Sequence, residues 1–514
     1  MRKLITRLGS TALVICVAAA CGGGQPSGFS GGGDDGGSDA TLDGPGSRDG
    51  HGGSGDDSGG LMLGGGDAAK GDAPAACTGI ACNVKTCSGG GTTSVSGYVY
   101  APNGTLPLYD VQVFIPNTAL APLPKGVQCD QCGATVSGDP ITTALSDPTG
   151  YFQLKGVPSG ANIPIVVQLG KWRREATIPT VSSCTSNVLT DANLTRLPKN
   201  QMEGSMPHIA LTTGECDNLG CMLPKVGIDP AEFGYQADGY AAAINIYNGS
   251  GGGTGLAATA ADSLWSSSTL LMTYDMGIFS CECSEALGTK GGSASAPEFG
   301  LVTDYLNAGG RIFTTDFQYT WYKYSPDPAL GGTPVGSDTT GIGDVIGGAG
   351  PGGNPISLVT TFPKGAALAQ WLKTVFPTDM YASAGEVYPD YVFGNIVSLN
   401  SETLTWAGSG STDEFDSPGT GPAVPRVFTV DTPAGAPTAK QCGRGVHIDA
   451  HVDNPGTGGD TDTVGCNGST CYPNTCATPL KPDEAMFAFF FFDLSSCIQD
   501  ETAPPQPPPV PTPQ

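Results

Sequence analysis

The sequence predicts a multidomain fold. A small β-sandwich is followed by a larger α/β domain on a parallel sheet, behind an N-terminal tether with no fold of its own. Three observations predict it. Between Ser94 and about Leu197, short alternating runs such as Val95–Tyr100 and Val111–Ile115 are separated by Gly, Pro and Asn turns, the pattern of a sandwich. Residues 269–321 run apolar segment, helical segment, Gly turn, apolar segment, the order of a βαβ unit. Gly22 to about Ala76 is dominated by Gly, Ser and Asp, with almost no aromatic or β-branched residues. Such a segment cannot bury enough apolar surface to offset the entropy of ordering.

Composition bounds the function. The chain has 514 residues and a formal net charge of -25, and a polyanion does not hold nucleic acid by phosphate neutralisation. Only 14% of residues are charged and 78 are Gly, which suits an exported, loop-rich β protein. The 17 cysteines point to disulfides and an oxidising compartment.

Residues 1–20 read as an export signal. Arg2, Lys3 and Arg7 form a positive start, and Leu8–Ala20 is an apolar stretch too short to span a bilayer. The segment ends Val17-Ala18-Ala19-Ala20-Cys21. Small residues directly before a cysteine resemble the lipobox of bacterial lipoproteins. The resemblance implies cleavage before Cys21, lipidation of its sulfur and acylation of its amine, so that the lipid bilayer is a partner. Residue 22 is Gly rather than Asp, which favours the outer membrane, facing the periplasm or the outside. Ordinary secretory cleavage after the alanines, giving a secreted protein, is the alternative. Residues 21–76 are then a lipidated tether, with a root-mean-square span of about 40 Å. Its Asp34, Asp35, Asp56 and Asp57 sit in no calcium-ligand loop.

Cys77, Cys82 and Cys87 lie five residues apart in a Cys-rich knot over 77–93, and the spacing recurs at Cys466, Cys471 and Cys476. Thiolate zinc sites use tighter pairs, so both sets read as disulfide knots. Residues 94–198 follow as the sandwich. The order "SGYVYAPNG…PLYDVQVFIP…ALSDPTGYFQLKGVPSG" resembles the carboxypeptidase regulatory-like domain, a transthyretin-like sandwich of about seven strands, and implies a stability or adhesion module without catalysis. An insertion, Pro116–Pro140, carries Cys129 and Cys132. It lies in a Pro/Gly loop rather than at a helix start, so a disulfide loop is expected instead of a redox or metal motif. Gly170–Arg174 is a basic-aromatic cluster. Trp172 and Arg173 suit an anionic sugar or a partner protein; alternatively Trp172 packs and the cations face the acidic neighbouring domain.

The α/β domain spans 199–498. A linker, Leu197–Met206, leads to a strand at His208–Thr213 and a short helix at Leu219–Val226, stapled by Cys216 or Cys221. In the central unit, Leu270–Met272 leads to Tyr274-Asp275 and Ile278-Phe279. A helix is expected over Pro297–Leu306, stopped by Asn307-Ala308-Gly309-Gly310, and a buried strand over Arg311–Thr315. Ligands at such sheets sit beyond the strands' carboxyl ends, here near Asp275–Cys283 and Asp316–Trp321, which makes Trp321 a ligand-binding candidate. Residues 325–357 form a Gly/Pro-rich loop or lid, in which Gly341–Gly347 has no preceding strand and fails as a nucleotide loop. A helix over Gly365–Phe376, strands over Arg426–Val430 and Gly445–Asp449, and a closing helix over Asp483–Leu494 follow; the Phe run of that helix must be buried. Residues 499–514 are a Pro-rich, extended tail.

The patterns "YD…L…YLNAGGRIFTTDF" and "CGRGVHIDAHVD" resemble the class I glutamine-amidotransferase-like fold, over roughly residues 205–498. The resemblance implies a three-layer, flavodoxin-like α/β domain. Active members carry a nucleophilic cysteine on the turn after a strand, where this chain has Asp316-Phe317-Gln318, so the family's chemistry is not expected.

Four histidines are present. Residues two apart on a strand share a face, so His447, Asp449 and His451 are expected to line up as metal ligands or as an acid/base with an orienting carboxylate. The amidotransferase-like resemblance carries a family histidine onto His451. Catalytic candidates are therefore His451, Asp449 and Asp316; structural hydrogen bonding is the alternative for the histidines. Cys281 and Cys283 are expected in disulfides with partners such as Cys216 or Cys221, and the odd cysteine count beyond Cys21 leaves one thiol over. The sequence thus points to a non-enzymatic surface or envelope lipoprotein without a cofactor, binding a carbohydrate or a partner protein. The alternative is a hydrolase or metal-dependent enzyme with a site near His451.

Overall fold

The structure, a computed structural model, describes residues 77–235, 241–252, 258–331, 355–389, 391–392, 396, 399–409, 424–452, 466–467 and 470–510. The expected signal segment, lipidated Cys21, tether and Gly341–Gly347 loop lie outside the described residues. So do the side chains of Cys466 and Cys471.

Seven strands form two sheets in the first part: β1 (Ser94–Tyr98), β2 (Gln112–Pro116), β3 (Pro140–Leu145), β4 (Tyr151–Lys155), β5 (Gly160–Leu169), β6 (Trp172–Val181) and β7 (Ser186–Val188). One sheet has the order β4-β1-β7, the other β3-β2-β5-β6. Alternation sets the faces: Phe152 and Leu154 are buried while Gln153 is exposed, and the inward set includes Val95, Val113, Ile115, Ile165 and Val167. The Asp147–Gly150 turn forms as its residues dictate. Asp147 Oδ1 accepts from the Thr149 and Tyr151 N–H groups at 2.8 and 3.1 Å, and Gly150 takes φ +83°, which costs glycine little.

The second part is built on one large sheet. Its strands are β8 (Ile209–Thr213), β9 (Phe233–Gly234), β10 (Ile244–Asn248), β11 (Thr259–Ala260), β12 (Met276–Phe279), β13 (Arg311–Thr315), β14 (Ile356–Leu358) and β15 (Glu386–Val387). A short β16 (Tyr391–Val392) lies outside it, and β17 (Thr403–Ser409), β18 (Val424–Thr432) and β19 (Gly443–Ile448) complete it; β20 (Ala450–His451) pairs with β16. The order is β11-β10-β8-β12-β13-β19-β18-β17-β14-β15, parallel as far as β19 and antiparallel beyond it. Taken along the chain as first to fifth, β8, β10, β12, β13 and β19 lie in the order second, first, third, fourth, fifth.

The helices are α1 (Met222–Lys225), α2 (Asp262–Trp265), α3 (Ser268–Leu271), α4 (Pro297–Asn307), α5 (Thr320–Lys323), α6 (Pro363–Val375), α7 (Met380–Ala384) and α8 (Pro482–Leu494). Alternate sheet residues feed two cores. Leu211, Ile278, Phe313 and Val446 join α6, α8 and the sandwich interior, whereas Ala210, Phe279 and Ile312 join α2, α4 and α5. The parallel sheet therefore carries helices on both faces, as buried parallel strands require. The apolar run at Leu270–Met272 is no strand: Ser267 caps Leu270 through a side-chain hydrogen bond and starts the short α3, and the strand begins at Met276.

The sandwich and the α/β part share one apolar core. Helix α8 is buried from Asp483 to Leu494 because it has neighbours all round. Phe489 stacks on Tyr109 of the sandwich, Phe491 and Phe492 meet Trp172, Phe487 meets Phe313 and Phe490 meets Trp406. A helix apolar on every side belongs in such a position.

Disulfides add covalent ties. Cys129 and Cys132 do not close a loop on each other; they bond Cys442 and Cys497 and staple the insertion to the α/β part. Cys77 pairs with Cys82, but Cys87 reaches Cys184, so that knot is anchored to the sandwich. Cys476 likewise bonds Cys221. The tail is not wholly a solvated extension, since Glu501 is buried among Lys364, Arg444 and Thr429.

Candidate functional site

The side chains that converge stand just past strand ends on the carboxyl side of the parallel sheet. Strand β12 ends at Phe279, and two residues on, the Cys281 N–H donates to Thr315 Oγ1 at 3.1 Å. Strand β13 ends at Thr315, and the chain turns sharply at Asp316, a non-glycine residue with φ +42°. Such a conformation costs a residue with a Cβ, and it aims the carboxylate at its neighbours. The Cys281 thiol donates to Asp316 Oδ2 at 2.8 Å. The same oxygen lies 2.9 Å from Nε2 of His451, carried by β20. All three residues are buried.

The surroundings hold this arrangement. Cys283, two residues beyond Cys281, takes φ +61°, donates its N–H to Cys281 Sγ at 3.2 Å and is bonded to Cys216. Asp217 accepts from Thr315 Oγ1 at 2.5 Å and from the Val452 N–H at 3.2 Å, bracing a neighbour of Asp316 and a neighbour of His451. Burial pushes the Asp217 carboxyl up to about 6, against the opposing influence of His451. Burial also disfavours the His451 imidazolium, but the hydrogen bond and charge of Asp316, with Asp217 and Asp449, outweigh it and hold the imidazole pKa above its ordinary value. Burial and then the Asp316 carboxylate push the Cys281 thiol well up, so it rests as the thiol rather than the thiolate.

The expected row of His447, Asp449 and His451 does not form a shared site. The strand β19 ends at Ile448, and beyond it the alternation that would align the three is lost. His447 lies among Tyr319, Tyr322 and Phe428, with Nδ1 2.9 Å from Thr314 Oγ1, and burial drives its pKa down to about 3. Asp449 pairs with Arg426 at 3.1 Å; burial raises its carboxyl to about 7, with Arg426 opposing. Among the described residues, the group able to hold a metal is Cys281, Asp316 and His451 instead. Cys281 is the correction to the expected disulfide pair: Cys283 takes the bond with Cys216, and Cys281 is free. The odd cysteine count signalled one spare thiol but not which.

The proposed ligand-binding aromatics are interior. Trp172 is fully buried against α8, with its indole N–H on Ser495. Arg173 is turned inward onto Ala121 O at 2.8 Å. Trp321 is enclosed by Trp265, Phe279 and Phe299, donates to Gln318 Oε1 at 2.8 Å and lies beneath the buried Lys290–Glu282 pair. Trp172 and Trp321 offer no face to a ligand, whereas Arg173 borders a cavity of about 250 Å³ beneath the insertion. Asp275 lies at the amino end of β12, paired with Lys171 and accepting from the His208 N–H, far from the carboxyl-end cluster in the topology of the sheet.

A cleft of about 690 Å³ opens at that amino end. It is lined by Leu123–Gly126 of the sandwich insertion, Lys171 of the β5–β6 turn, Gln201 and Gly204–Pro207 of the linker, and His208, Ala241–Ala243, Met272, Thr273 and Asp275 at the sheet. The His208 ring stacks on Tyr274 and is fixed by Thr273 O at 3.0 Å and Asn245 Oδ1 at 2.7 Å. No sequence motif marks this cleft, because its walls come from segments that meet only in the fold.

No protein-family profile matches the chain, and no curated protein matches it. Solved structures similar to parts of it include two type II cohesin–X-dockerin complexes from Acetivibrio cellulolyticus. A C-terminal interface mutant is 18% identical with a TM-score of 0.14, covering 24% of this chain and 76% of that one. An N-terminal interface mutant is 17% identical with a TM-score of 0.14, covering 28% and 74%. Among the described residues no helix is long and apolar enough to cross a membrane.

Proposed function

We propose that the chain is a bacterial envelope lipoprotein, anchored in the outer membrane through Cys21, whose folded part is a non-catalytic binding scaffold. The cleft beside His208 is its binding site. The observation that carries this reading is the cleft itself, which has the size of a small-molecule pocket. Lys125, Gln201 and His208 give it polar groups, and Met206, Pro207 and Met272 give it apolar surface. That mixture suits a carbohydrate or the end of a partner peptide.

The fold reading rests on topology. Seven strands in sheets of three and four support the transthyretin-like, carboxypeptidase regulatory-like sandwich. The second-first-third-fourth-fifth order of the parallel strands is the flavodoxin-like order and supports the amidotransferase-like domain. At the turn where active members of that family carry a nucleophile stands Asp316. The nearby Cys281 is kept as a thiol, so the carboxyl-end cluster lacks an activated nucleophile.

Calorimetric titration of the full chain with oligosaccharides and peptides, in wild type and Ala241→Trp, tests the proposal. Binding weakened at least tenfold by the Trp, which narrows the cleft, is the expected result. Unchanged binding would move the ligand elsewhere, and turnover of any compound would replace the scaffold reading with an enzymatic one.

A further inference from the structure

We propose that Cys281, Asp316 and His451 form a zinc site. The inference is independent of the cleft, which lies at the other end of the sheet. Three kinds of ligand atom meet here: a thiol sulfur, a carboxylate oxygen and an imidazole nitrogen, all within 4.8 Å of one another. Thiolate and imidazole together select zinc over magnesium or calcium, which prefer all-oxygen sets.

The three groups are hydrogen-bonded to one another through Asp316 and need only part slightly to take an ion. Tetrahedral zinc with ordinary bond lengths places its ligand atoms about 3.3–3.7 Å apart. In the structure Asp316 Oδ2 lies 2.8 Å from Cys281 Sγ and 2.9 Å from His451 Nε2. Outward shifts of less than about 1 Å would admit the ion. The ligands occupy fixed places. Cys281 and Asp316 are 0% exposed and His451 2%. The Cys216–Cys283 bond pins one side, and Asp217 braces Thr315 and Val452 on the other. Braces of this kind orient metal ligands.

Binding balances simply. The thiol proton leaves to solvent as the S–Zn bond forms, and His451 ligates through Nε2 as the neutral ring with its one proton on Nδ1, an imidazolium losing its Nε2 proton to solvent and an Nε2–H tautomer passing that proton to Nδ1. Thiolate and carboxylate together neutralise the divalent ion, so no net charge is buried. Among the described residues these three supply the ligands. The ion would clasp the ends of β12, β13 and β20, and its burial means that it enters as the chain folds.

The test uses the full chain produced in zinc-supplemented medium, and separately in zinc-depleted medium with cobalt(II). Elemental analysis is expected to give one zinc per chain, retained against a chelator until the protein is denatured. The cobalt form is expected to show a thiolate-to-metal charge-transfer absorption, absent in Cys281→Ser. That variant keeps a small polar side chain, and circular dichroism of its metal-free form checks that it folds. A chain that retains no zinc and shows no cobalt absorption overturns the proposal. So does an absorption that persists in folded Cys281→Ser, since the metal would then sit on other thiolates.

Discussion

His447 shows what burial does to a single titratable group. The fold holds it neutral, with a pKa pushed down to about 3, whereas unfolding restores a value near about 6.5. Between these values the unfolded chain binds the extra proton, so this residue's contribution to stability is present above about pH 6.5 and is lost as the pH falls toward 3. Asp449 and Asp217 act in the opposite direction. Their raised pKa values mean that the native state holds the proton more tightly, so their contribution grows as pH falls through about 7 and about 6 respectively. The net curve mixes these effects, and the difference between wild type and His447→Phe isolates the first. Urea unfolding at pH 6.5 and 4.5 is expected to show wild type losing roughly 2–3 kcal/mol more than the variant across that interval. Parallel losses in the two proteins would place the acid sensitivity elsewhere.

Elements show where sequence reading succeeds. Helix α4 was legible because Pro297 starts it, Phe299, Val302 and Leu306 give it one apolar side, and Gly309 ends it. The second role of Gly309 was not legible: a Cβ there would lie 2.2 Å from the carbonyl of Gln128, in the sandwich insertion. Gly309→Ala is therefore expected to destabilise by more than about 2 kcal/mol in thermal unfolding. Gly292→Ala, also at positive φ but with open space around the added carbon, should cost only about 1–2 kcal/mol. Equal costs would mean that the insertion yields freely. The strand at Arg311–Thr315 was readable from its run of buried residues, but Leu270–Met272 was not. A short apolar run carries no period that separates a strand from a helical turn, and here the Ser267 cap decides. The candidate site was half legible for a related reason. Asp316, His451 and Cys281 all follow recognisable strand segments, but the sequence does not show that Cys283 bonds Cys216 and leaves Cys281 free to join the other two. Near the chain's end, Lys364 at the start of α6 meets Asp493 and Glu501 at 2.7 and 3.0 Å, all buried. Lys364→Met leaves two buried acids without that cation and is expected to cost about 3–5 kcal/mol; a change below about 1 kcal/mol would show that Arg444 suffices for both.

At the scale of the whole molecule, the proposed anchor makes its own prediction. Mass spectrometry of membrane-extracted protein should find acyl chains on residue 21, and Cys21→Ser should move the protein from the membrane to the soluble fraction. An unmodified, soluble wild type would leave the secreted alternative. The folded part is fastened late. Cys129 and Cys132 bond partners 313 and 365 residues further along, while each has the other only three residues away. Synthesis runs from the N-terminus, and the entropy of closing a loop favours the nearest thiol. The first bond available to this pair during synthesis is thus the wrong one, and the correct partners arrive only when Cys442 and then Cys497, hundreds of residues further along, have emerged. Maturation of this protein therefore calls for disulfide shuffling by an isomerase rather than oxidation alone. Acid-trapping of nascent chains would catch the short-lived Cys129–Cys132 bridge that it must undo.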